Sequence, residues 1–306
     1  MATVRTIQQG MIKPEEHWPY TIVVLANPWI EAPESPDGFV IDPIISNEDV
    51  FDERASFLLE AIFGRLPGQG ETMLGTMAQD FRVISVFDAE RPRSDENALI
   101  SHDNTNIVVP RQDKFAPFLE TIEVTGMGRL KADVVFAITG SATHDRSSAW
   151  FTLDDEGVAG RSFTIDGRTM VHRPENIMPG TVALHTSASS IVGLHEFGHA
   201  ASSWKNGMVT DLYVDGGSGI NKRRGRPVPS LFAVYDGTRY AASANRGGTL
   251  TYPDDWTSYH CELVDTAYPA VMDDFWKAAG GKYERCRHDK LTRQFLLDRI
   301  RTIMSR

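Results

Sequence analysis

Thr181-Val-Ala-Leu-His-Thr-Ser-Ala-Ser-Ser-Ile-Val-Gly-Leu-His-Glu-Phe-Gly-His199 is the stretch whose reading decides the fold. Its first five residues, Thr181 to His185, form a short apolar run that suits a buried strand. From Thr186 to Trp204 the spacing turns helical, through Ile191, His195, Gly198 and His199, and Asn206-Gly207 is a strong stop. A buried strand running directly into a helix is the repeating unit of an α/β layer.

Working outward toward the N-terminus, the same unit recurs. Tyr20-Thr-Ile-Val-Val-Leu-Ala26 is a nearly continuous apolar run ending at Asn27-Pro28. Ser46 offers an N-cap with Asp49 three residues on, Phe51, Ala55, Leu58, Leu59 and Ile62 follow at helical spacing, and Gly64 ends the pattern. Arg82 to Phe87 reads as a strand. Phe115, Phe118, Leu119 and Ile122 mark a short helix with Pro117 near its start. Asp133 to Ile138 and Ser162 to Asp166 read as further strands. This order predicts an α/β fold with a largely parallel sheet.

Residues 1–19 read as a polar arm, with Pro14 and Pro19. Residues 20–206 read as an α/β lobe, and 207–306 as a C-terminal lobe. Across 215–255 Gly, Pro, Asn and Asp interrupt the pattern. A last helix is expected from about His288-Asp289, with Leu291, Phe295, Leu296, Ile300 and Ile303 on one face.

Of the 306 residues, 41% are hydrophobic and 24% charged, a folded-protein composition with no run long enough to span a bilayer. Lys and Arg number 31 against 41 Asp and Glu, a net charge of −10. That balance argues against nucleic acid as a partner. The one basic cluster, Lys222-Arg223-Arg224-Gly225-Arg226, is short and reads as a solvated loop. Met1 to Gly10 has no apolar core of a secretory signal, so the expectation is a cytoplasmic, trimmed or non-classically secreted protein. Two cysteines, Cys261 and Cys286, make no disulfide framework and are either bridged or free.

His195-Glu196-Phe197-Gly198-His199 is an HExxH sequence. On a helix, positions i and i+4 share a face, so two imidazoles can bind one zinc ion while the intervening glutamate takes a proton from a metal-bound water. A catalytic zinc needs a third protein ligand. In the pattern HExxHxxGxxH the glycine would fall at Ser202 and the ligand at Lys205, so that short version is absent. Asp211, Asp215 and, in a gluzincin-type arrangement, Glu262 are the remaining candidates. Pro269-Ala-Val-Met272-Asp273, between the HExxH helix and a terminal helix, has the order of a methionine turn whose side chain floors the metal site. Tyr213, Tyr259 and His260 are candidates for stabilising an oxyanion, and residues 141–161 for a cleft rim.

With Asp211-Leu-Tyr213 after the motif, Leu231-Phe-Ala-Val-Tyr-Asp-Gly237, Ala270-Val-Met272-Asp273 and Cys286 before the last helix, the chain resembles the bacterial IgA-specific metalloendopeptidase family, as a divergent relative. That group consists of metzincin-like zinc peptidases. The resemblance covers most of residues 20–306 in order. It implies a two-lobed zincin with a mostly parallel twisted sheet, an active-site helix, and an irregular C-terminal lobe with a methionine turn and terminal helix. It implies zinc held by His195, His199 and Asp211, Glu196 as general base, and a peptide or protein substrate. The competing readings are a non-catalytic, metal-stabilised binding module on a peptidase scaffold, and a hydrolase of non-peptide amides.

Overall fold

Strand β2 (Tyr20–Ala26) is buried along its whole length, as its unbroken apolar run requires. It lies in a six-stranded sheet of order β1-β5-β2-β10-β14-β11. The other strands are β1 (Thr3–Gln8), β5 (Phe81–Phe87), β10 (Val134–Thr139), β11 (Ser148–Trp150) and β14 (Gly180–His185). The computed structural model describes residues 2–11, 19–69, 72–124, 128–152, 162–165, 168–171, 178–202, 208–209, 248–251, 257–260, 271–272, 282–288 and 290–305. No helix among them is long and apolar enough to cross a membrane.

β5, β2, β10 and β14 are mutually parallel, and both edges, β1 on β5 and β11 on β14, are antiparallel. The fold is therefore mixed α/β with a mostly parallel sheet, in line with the sequence reading. The stretch read as an arm differs: residues 3–8 pair with β5, with a bulge between Thr6 and Gln8. Its half-exposed pattern is that of an edge strand, which is why it carries so little apolar signal. The strand expected at Ser162 to Asp166 also differs. Ser162–Ile165 pairs with Arg168–Val171 as a separate hairpin outside the main sheet.

Because successive side chains on a strand point to opposite faces, the sheet buries two cores. Ile22, Val24, Val83, Val134, Phe136, Ile138, Val182 and Leu184 line one face. Against them pack three helices: α1 (Glu48–Ile62), α4 (Ser190–Ala200) and α5 (Lys290–Met304). A one-turn helix, α2 (Met73–Thr76), adds Leu74 to this core. Val23, Leu25, Ile84, Val86, Val135, Ala137 and Ala183 line the other face. They are covered by α3 (Gln112–Glu120) and by a second sheet of order β4-β3-β6-β7. That sheet is built from β3 (Trp29–Glu31), β4 (Phe39–Ile41), β6 (Ala98–His102) and β7 (Val108–Pro110). Its strands are too short to announce themselves in sequence.

α1 begins one residue later than expected: Asn47 is the N-cap, its side chain accepting from the Val50 N–H, while Ser46 Oγ donates to Pro43 O. Gly64, at φ +66°, turns the chain just past the helix in a conformation that a side chain would strain. Pro117 lies inside α3 rather than near its start. Asp42 ties the ends of β2 and β10 together. Its fully buried carboxylate accepts from Asn27 Nδ2, Ile44 N, Thr139 Oγ1 and Gly140 N. Burial pushes this carboxyl upward in pKa, and the four donors oppose that shift.

Candidate metal centre

α4 carries the site, and close packing dictates where it lies. Ile191, Leu194, Phe197 and Ala200 are buried in the core shared with α1 and the sheet. An added methyl on Gly180, the first residue of β14, would stand 1.9 Å from the Ala200 carbonyl oxygen. The C-terminus of α4 thus lies over the N-terminus of β14, and the helix runs back antiparallel across the sheet face. Phe136 of β10 stacks on Phe197, ring centroids 6.5 Å apart.

On this helix His195 and Glu196 are buried and His199 is half-buried. One ligand atom from each of the three lies within 4.8 Å of the others, a group able to hold a metal ion. The imidazoles meet nearly perpendicular, at 86° between ring planes. Each ring is oriented through Nδ1. His195 Nδ1 is 2.6 Å from the Val271 carbonyl oxygen, and His199 Nδ1 is 2.6 Å from the Val209 carbonyl oxygen. A carbonyl only accepts, so both Nδ1 atoms carry the proton and donate it. Both Nε2 atoms are thereby left to present lone pairs, the state in which imidazole binds a metal.

Those two Nε2 atoms stand 3.2 Å apart. Two ligands on one tetrahedral zinc at about 2.05 Å each are separated by about 3.3 Å. Two facing lone pairs at that distance repel unless a cation or a shared proton lies between them, so the donor set fits a metal ion.

The surroundings fix the helix from outside. Met272 and His288 approach Gly198 so closely that a Cβ there would lie 2.7 Å from Met272 Sδ and 2.8 Å from His288 Nε2. Arg299 of α5 donates from Nε to the Ala201 carbonyl at 2.9 Å, placing a cation at the negative end of α4. Burial, then the neighbouring His195, Arg293 and His199, hold the His288 imidazole down to about 3 in pKa, so it is neutral.

The structure brings His195, Glu196 and His199 together and sets Met272 against their helix. Asp211, Asp215, Glu262, Tyr213, Cys261 and the basic cluster at 222–226 lie outside the described residues. Tyr259 and His260 end the strand Thr257–His260, which pairs in parallel with Met208–Val209 so that Tyr259 stands opposite Val209. The stretch considered for a rim flanks α4: Thr152 Oγ1 donates to Ala200 O and Thr152 N to Ser202 O. Its first residues are pinned from the sheet, His102 Nε2 to Ser141 Oγ at 2.9 Å and His185 Nε2 to Ser141 O at 2.9 Å. Cys286 is buried and free, its thiol pushed by burial up to about 12.

No family model matches the chain, and no curated protein matches it. The residues that sequence reading missed are Val209, Val271, His288 and Arg299. The first two act through main-chain carbonyls, which carry no residue-type signal. The other two are ordinary surface-type residues until packing buries them.

Proposed function

We propose that this chain is a zinc-dependent metallopeptidase of metzincin-like architecture. The observation that carries the proposal is the pair of imidazoles with both Nδ1–H groups spent on carbonyls and both Nε2 atoms 3.2 Å apart beside Glu196. His195 and His199 would hold the ion, with Asp211 as the third ligand that the resemblance to the IgA-specific metalloendopeptidases implies. Zinc, when bound, supplies the Lewis acidity that acidifies water and polarises a carbonyl.

The remaining chemistry belongs to the chain. Glu196 takes the proton of the attacking water and returns it to the leaving amine. Its burial, with a carboxylate oxygen within 4.8 Å of the histidine donor atoms, supports that role. The Val271 and Val209 carbonyls keep the imidazoles in one tautomer throughout. Met272, packed on Gly198, supports the turn between the ligands, as a methionine turn does. A peptide or protein is the substrate that the resemblance implies, and the net charge of −10 argues against a nucleic acid.

Metal content and hydrolysis of an unstructured protein substrate, wild type against Glu196→Gln, test the proposal. The expected result is about one zinc per chain in both and a loss of activity of at least about a hundred-fold in the variant. Equal activity in both refutes the mechanism. Zinc without hydrolysis in the wild type identifies a binding module. Asp211→Ala, Asp215→Ala and Glu262→Ala, compared for zinc affinity, identify the third ligand.

A further inference from the structure

The last turn of α4 carries His199, at the end where a helix has carbonyls that no N–H of its own reaches. Here they are taken one by one. Ser202 turns back on its own helix and donates to the His199 carbonyl, from N at 3.1 Å and from Oγ at 2.6 Å. Arg299 Nε donates to Ala201 O at 2.9 Å. The carbonyls on either side, Ala200 and Ser202, are both held by Thr152, from Oγ1 at 3.1 Å and from N at 2.9 Å.

Thr152 is 5% exposed and comes 48 residues before Ala200 in the chain. It is anchored in turn. The carbonyl just before it, that of Phe151, accepts from Gln112 Nε2 of α3 at 2.7 Å, and the same Nε2 donates to Pro179 O at 3.1 Å. Pro179 immediately precedes Gly180, which packs directly on the Ala200 carbonyl oxygen. Ala200 is fully buried, so that oxygen is costly to leave without its donor. Valine has nearly the shape of threonine and keeps the main-chain bond to Ser202. The hydroxyl alone therefore distinguishes holding the turn from filling the space.

His195 stands one turn earlier, where Leu194 and Phe197 are packed into the core. Helix ends fray, and His199 lies next to the end. The 3.2 Å between the two Nε2 atoms thus depends on how the last turn is held relative to the packed one.

We infer that Thr152 is a positioning residue for the metal-binding pair: clamping the Ala200 and Ser202 carbonyls, it keeps the last turn of α4 where His199 Nε2 faces His195 Nε2 at ligand spacing. This rests on the proposal that the pair holds zinc. Outer partners of metal ligands commonly change metal affinity ten- to a hundred-fold when removed, and a clamp on the backbone beside a ligand belongs at the lower end.

The test compares wild type, Thr152→Val, Thr152→Ser and Val86→Ala in the full chain. Zinc affinity is read by competition with a chromophoric chelator, the site geometry by the visible spectrum of bound cobalt(II), and folding by the melting temperature of the metal-free protein. Thr152→Val is expected to bind zinc roughly ten-fold more weakly and to shift the cobalt bands. Thr152→Ser, which keeps the hydroxyl, is expected to recover most of the affinity. Val86 is buried on the opposite face of the sheet, so Val86→Ala is expected to melt lower with zinc affinity and cobalt spectrum unchanged. A zinc affinity within about two-fold of wild type with an unchanged cobalt spectrum in Thr152→Val overturns the inference alone. So does a Val86→Ala protein that loses as much affinity, since the effect is then general destabilisation. Failure of the wild type to bind zinc overturns it together with the proposed function. If Thr152→Val does not fold, Thr152→Ala takes its place against Thr152→Ser with the same outcomes. If neither folds, the hydroxyl serves folding and the inference is overturned.

Discussion

Gly180→Ala is the sharpest test of how α4 is held. The added methyl would lie 1.9 Å from the Ala200 carbonyl oxygen, 2.6 Å from its carbon and 3.0 Å from Cα. An ordinary carbon–oxygen contact is about 3.3 Å, so strand and helix must separate by about 1.4 Å. Both groups are main chain, and no rotamer change relieves the clash. Overpacking of this kind costs about 1–3 kcal/mol, and a backbone clash belongs at the upper end. Replacing glycine returns about 0.4–1 kcal/mol through the unfolded chain. The net loss is about 2 kcal/mol, a fall in melting temperature of about 3 °C for a chain of 306 residues. Gly193→Ala is the internal control. Its methyl would meet Leu58 Cδ1 at 2.3 Å, the far end of a side chain that can rotate. The helical gain of about 1 kcal/mol offsets that adjustment, so the expected change is near zero. Thermal unfolding of the metal-free proteins measures both. A Gly180→Ala protein that melts with wild type, or a Gly193→Ala protein that loses as much, refutes the packing argument.

Three further outcomes are expected. Arg299→Met keeps the aliphatic stem and removes the donor to the Ala201 carbonyl, which should cost about 2 kcal/mol in urea unfolding; an unchanged midpoint denies the cap. Cys286, buried with its thiol near 12, should resist iodoacetamide at pH 8 in the native protein and react once unfolded, as read by peptide mass spectrometry; native labelling at the rate of a free thiol contradicts its burial. Because His288 titrates near 3 when folded and at 6.5 unfolded, the metal-free protein binds fewer protons folded than unfolded between those values. Its stability is therefore full above pH 6.5 and falls toward pH 3 by up to about 1.4 kcal/mol per unit, and His288→Phe should flatten that slope.

What was legible in sequence was whatever a single element encodes by itself. The run Tyr20–Ala26 reads as a strand buried on both faces because both of its faces are apolar. Phe51, Ala55, Leu58, Leu59 and Ile62 reveal α1 because its buried side repeats at helical spacing. His195, Glu196 and His199 are legible because their chemistry and spacing lie on one helix. What was not legible depends on pairing between distant segments. β1 looks like an arm until β5 pairs with it, and β3 and β6 are short strands held by their neighbours in the second sheet. Ser162–Ile165 has strand composition, but composition does not name its partner. His288 before the last helix is one of nine histidines in the chain, and only the approach of Gly198 singles it out.

The carbonyls that orient the two imidazoles come from later in the chain, Val209 ten residues after His199 and Val271 76 residues after His195. Arg299 reaches Ala201 across 98 residues. During synthesis the helix with its ligands leaves the ribosome well before the groups that fix their tautomers. A nascent or C-terminally truncated chain therefore carries the whole HExxH signature without the carbonyls that orient its two imidazoles. The long separation sets an order of synthesis: the two imidazoles can be oriented only after the segments that carry Val209 and Val271 have been made.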